Sequence, residues 1–145
     1  MTPNTHSSTP TATFASVRVI TDDVPRLVAF YELVTDRAAR WATPTFAELS
    51  SDRATLAVAG TETLALFGEQ LAEPGANRSV IIEWHVDDVD AEHERLGGSV
   101  GAVEQVPTTM PWGNRSMLLR DPDGNLVNLF TPVSDAARER FSPAR

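Results

Sequence analysis

The sequence predicts an α+β fold built from two βαβββ modules, and three observations carry that prediction. Thr21-Asp22-Asp23-Val24 recurs as Val86-Asp87-Asp88-Val89, each copy following an apolar run. Each copy is followed by apolar residues at helical spacing, and then by short runs rich in β-branched and aromatic residues. Near the end, Asp121-Pro122-Asp123-Gly124 places Pro at a turn corner and Gly where a positive φ is needed, so the last two strands form a hairpin.

In the first module (14–68) residues 14–20 read as a strand, with Asp22 or Asp23 placed to cap the helix that follows. Leu27, Phe30, Tyr31 and Val34 give that helix one apolar face. Three further strands are expected at 45–50, 54–59 and 63–67. A polar connection rich in Gly and Pro, 68–79, leads to the second module (79–132). There residues 80–86 read as a strand, 89–96 as a helix stopped by Gly97-Gly98, and 103–109, 115–120 and 126–131 as strands. The end segments 1–13 and 133–145 read as tails, the second holding a short capped helix over 135–141 that Ser142-Pro143 stops. Each module leaves one sheet face under its helix and the other bare, so the bare faces must meet or enclose something.

Composition narrows the function. The 145 residues suffice for one domain with a real core, and 41% hydrophobic with 22% charged residues is ordinary for a globular protein. With no cysteine there is no disulfide framework, thiolate metal cluster or thiol nucleophile. A net charge of −8 argues against nucleic acid and would draw in a cationic small molecule. The opening MTPNTHSSTPTAT lacks the basic start and apolar stretch of a secretion signal, and no apolar run reaches membrane-spanning length. A cytoplasmic protein with no membrane partner is the expectation.

Strand alternation sorts the second module's side chains. Ile81, Glu83 and His85 share one face, with Ile82, Trp84 and Val86 turned toward the helix. Leu126, Asn128 and Phe130 likewise share a face, opposite Val127 and Leu129, whereas Met117-Leu118-Leu119 is apolar throughout and gives no alternation to read.

The FYELV of the first helix, the WHVDDVDA of the second and PWGNRSMLLRDPDGNLVNLF near the end resemble the vicinal oxygen chelate superfamily, which contains glyoxalases, extradiol dioxygenases and bleomycin-type resistance proteins. The resemblance covers residues 14–132. It implies a cup-shaped mixed sheet formed from both modules and completed across a homodimer, and in the group's enzymes His and Glu side chains on these sheets hold one divalent metal. The repeat register puts the usual ligand positions at Ser16, Ala65, Ile81 and Asn128, none of which supplies an imidazole or carboxylate. His6 falls in the tail and His93 on the second helix; a shifted site would have only His85 with Glu83 and no third ligand. No metal or other cofactor is therefore expected.

The expected cup lining is Ser16, Ile81, Glu83, His85, Asn128 and Phe130. Trp112, in a turn-rich Met-Pro-Trp-Gly segment, is expected as a stacking wall at the cup mouth. Trp41 would line the pocket or a subunit interface, with Phe46 a weaker member of the same kind, and Arg115 would either grip an anionic group or pair with a surface acid. The leading expectation is a metal-free protein that sequesters an aromatic or polycyclic natural product, as antibiotic-resistance members do. The alternatives are a metal-independent or shifted-metal lyase or isomerase using His85 as base, and an interaction module with no small ligand.

Overall fold

The computed structural model describes residues 11–68 and 71–142. The first module contains β1 (Val17–Thr21), α1 (Val24–Thr35), β2 (Arg40–Thr43), β3 (Phe46–Ser50) and β4 (Thr55–Gly60). The second contains β5 (Ile81–His85), α2 (Val89–Leu96), β6 (Gln105–Thr109), β7 (Asn114–Arg120) and β8 (Leu126–Pro132), followed by α3 (Asp135–Arg140). Each forms a four-stranded mixed sheet, ordered β1-β4-β3-β2 and β5-β8-β7-β6. In both, the first strand pairs in parallel with the last and the remaining pairs are antiparallel. The paired βαβββ plan is therefore present. The expected tail 1–13 falls mainly, and the Pro143 stop wholly, outside the described residues. No described helix is long and apolar enough to cross a membrane.

The internal repeat is a helix-capping device. Asp23 Oδ1 accepts from the Arg26 amide at 3.1 Å, and Asp88 Oδ1 accepts from the amides of Asp90 and Ala91 at 3.1 and 3.2 Å. Each aspartate satisfies amides that the first helical turn leaves without partners.

The first module corrects the sequence reading in three places. Residues 63–67 form no strand: a single 3₁₀ turn (Thr61–Leu64) follows β4, and Leu66 and Phe67 stand 93% and 67% exposed. β4 already has a neighbour on each side, so the chain must leave the sheet there. The missing strand is β2, whose four residues are all exposed and carry no buried-exposed alternation to detect. β1 begins only at Val17, leaving Phe14 and Ser16 exposed ahead of it.

Leu27, Val28, Tyr31 and Val34 of α1 pack on Ala47, Leu49, Leu56 and Val58; Val89 and Leu96 of α2 join Met117, Leu119, Val127 and Leu129. All belong to one core, so the helix-bearing sides of the modules are packed together. Burying each of the Leu, Val and Met side chains contributes about 1.5 to 3 kcal/mol. Tyr31 sits at the junction, its ring 6.2 Å from that of Trp84 and its hydroxyl donating to Asp121 Oδ2 at 2.6 Å. Burial, reinforced by the Asp121 carboxylate, raises its ionisation far above the usual phenol range. Across the same junction Arg26 donates to the Pro122 carbonyl, and Arg95 to those of Leu33 and Val34.

Candidate functional site

Strand register assembles the bare face of the second sheet from the residues that alternation groups together. Ile81, Glu83 and His85 on β5 stand directly opposite Leu126, Asn128 and Phe130 on β8. Ile82 is buried on the other face, and Trp84 is half-buried against the core. Of the unreadable 117–119 run, Met117 and Leu119 are core and Leu118, opposite Asn128, lies on the bare face.

Two arrangements define this face. Asn128 donates from Nδ2 to Glu83 Oε2 at 2.8 Å, which fixes the amide and leaves its buried Oδ1 without a partner. The rings of His85 and Phe130 stack with centroids 5.5 Å apart and planes 14° from parallel. The ring of Phe141, just beyond α3, lies 4.8 Å from Phe130 and 5.8 Å from His85. Beside this cluster is a cleft of about 640 Å³, whose walls include β5, the β3–β4 turn from Ser51 to Ala54, and Phe141. That volume suits a small organic molecule.

Ile81, Glu83 and His85 line the cleft, and Asn128 and Phe130 adjoin them on the same face. The other expected residues lie elsewhere. Ser16 precedes β1 and is absent from the lining. Trp112 is 66% exposed in the β6–β7 turn and is likewise absent from the lining of this cleft. Trp41 stands opposite Ala47 on the outermost strand of the first sheet and does not line the cleft either. Phe46 is half-buried on that sheet beneath the Arg18 guanidinium, 5.1 Å from its ring centroid. Arg115 is held by Asp90 of α2 through two hydrogen bonds of 2.8 and 3.0 Å, an ion pair at the surface. The Arg115 hydrogen bonds hold the Asp90 carboxyl below its ordinary range.

Sequence reasoning missed Phe141 and the β3–β4 turn because alternation reports only within a strand. The one signal for Phe141 is a large aromatic ending an otherwise polar terminal helix.

The register also corrects one metal-ligand position. Val17 pairs with Leu56 and Ile82 with Val127, and the repeat equates Val17 with Ile82. Ala57, not Ala65, is thus the counterpart of Asn128, and Ala65 lies beyond the strands altogether. The set becomes Ser16, Ala57, Ile81 and Asn128, still without imidazole or carboxylate. No group of three or more potential ligand side chains occurs among the described residues, and Glu83, the nearest carboxylate, is bonded to Asn128. These residues do not fit a catalytic divalent ion.

The model of the Glyoxalase/Bleomycin resistance protein/Dioxygenase superfamily matches residues 13–129, and the chain belongs to that family. Solved structures agree in fold. A glyoxalase/bleomycin resistance protein/dioxygenase from Nocardioides is 20% identical with a TM-score of 0.69, covering 89% of each chain. A family enzyme from Burkholderia phytofirmans is 18% identical with a TM-score of 0.71, over 82% of this chain and 98% of its own. A lactoylglutathione lyase from Agrobacterium tumefaciens is 22% identical with a TM-score of 0.64, over 85% of this chain and 96% of its own. No curated protein matches the chain.

Proposed function

We propose that this chain binds a flat aromatic small molecule in the cleft beside β5 without a metal ion, and acts by sequestration, as a protein conferring resistance to an aromatic antibiotic would. The observation that carries the reading is the His85–Phe130 stack at the edge of a cleft of ligand size. An added ring stacked there gains about 0.5 to 1.5 kcal/mol beyond the area it buries. The metal-ligand positions hold Ser, Ala, Ile and Asn, which gives no support to metal-assisted turnover. His85 lies against the rings of Phe130 and Phe141, and no hydrogen bond to a described residue orients it as a base. That favours stacking over proton transfer.

Indole NMR signals test the site. Trp84 lines the cleft whereas Trp41 and Trp112 do not. Titration with mitomycin, bleomycin or the neutral dye N-phenyl-1-naphthylamine is expected to move the Trp84 signal saturably and leave the other two in place. Movement of Trp112 alone would refute this assignment.

A further inference from the structure

The C-terminal segment enters the proposed site from outside both modules. Its base is fixed: the amides of Val133 and Ser134 donate to the Gly113 carbonyl at 2.8 and 3.1 Å, and Ser134 Oγ caps α3 through the Ala137 amide at 3.1 Å. A Cβ at Gly113 would strike Ser134, so glycine is what allows the close seat. Beyond the base the segment is lightly held, with Ala137 its one buried residue in α3.

The tip is held differently. Phe141 lays its ring against Phe130 and His85. Arg53, in the β3–β4 turn of the first module, donates to the main-chain carbonyls of Phe141, at 3.4 Å, and Ser142. Carbonyls at a helix end lack intrahelical partners, and a guanidinium answers both that need and the helix dipole. Phe130 is buried although it lies on the bare face, and Phe141 is one of the rings that cover it.

Resting on the ligand-binding reading above, we infer that Phe141 is the built-in occupant of the aromatic subsite on Phe130 and His85. Arg53 is the catch that keeps it there. A ligand ring takes the place of the Phe141 ring, and the segment swings about Gly113 and Ser134 as Arg53 lets go. The chemistry selected is a ring as flat and apolar as the one displaced.

The test combines N-phenyl-1-naphthylamine titration with hydrogen–deuterium exchange over residues 135–142 in the full chain. Saturating dye is expected to speed exchange in that segment, and Arg53→Ala to speed it without dye. Phe141→Ala and Arg53→Ala are both expected to tighten dye binding, by about tenfold for a segment closed about nine-tenths of the time. Arg53→Lys, which keeps the charge without the fork, should fall between. Slower exchange with dye together with weaker binding by Phe141→Ala would make Phe141 a fixed wall and overturn the inference. Dye affinity indifferent to both substitutions would also overturn it while leaving ligand binding intact. Failure of every form to bind dye would overturn both readings.

Discussion

Asp121→Ala is expected to lower the unfolding free energy by about 3 to 5 kcal/mol, because several buried donors lose their acceptor together. Asp121 Oδ2 accepts from the Tyr31 hydroxyl at 2.6 Å and from Asn125 Nδ2 at 2.8 Å. Oδ1 accepts from the amides of Asp123 and Asn125, each at 2.9 Å. One carboxylate therefore shapes the β7–β8 turn and ties it to α1 of the other module. Tyr31→Phe removes one of these bonds and leaves the turn its own donors, so a smaller loss of about 1.5 to 3 kcal/mol is expected. Urea unfolding of both variants and the double variant checks the coupling. A loss below about 1 kcal/mol for Asp121→Ala would show that the junction does not depend on this carboxylate.

The second large effect separates two tryptophans. Trp84 packs against the core and meets the Tyr31 ring, so Trp84→Ala is expected to destabilise the protein by about 3 to 5 kcal/mol. Trp112 stands in an exposed turn, and Trp112→Ala should change stability by no more than about 0.5 kcal/mol. It should also leave dye affinity unchanged, since the cleft lining does not include it. Equal destabilisation by both would contradict the packing described.

The contrast marks what the sequence could and could not convey. Alternation along β5 and β8 depends on the local period of two, so Ile81, Glu83, His85, Asn128 and Phe130 were all legible as one face. The Asp-Asp repeat was legible because helix capping is a short-range requirement that both modules meet in the same way. β2 was not, since an edge strand exposed at every position carries no pattern. The 63–67 run misled for the opposite reason: its residues are strand-like, but no sheet edge beside β4 was open to them. The resulting slip moved one ligand position from Ala57 to Ala65, though the two residues share the same inability to hold a metal. Arg115 offered two roles in sequence, and only the fold shows its pairing with Asp90 on α2. The reach of Phe141 and of the β3–β4 turn into the cleft depends on tertiary packing alone.

The most direct measurement is a titration of chelator-dialysed protein with N-phenyl-1-naphthylamine, repeated after adding Zn²⁺ or Mn²⁺ and repeated with Phe130→Ala. Saturable binding without metal is predicted, unchanged when metal is added, and weakened about tenfold, or about 1.4 kcal/mol, by the loss of the Phe130 ring. Binding that appears only once a divalent ion is supplied, or that ignores the Phe130 substitution, would contradict a metal-free aromatic site on this sheet.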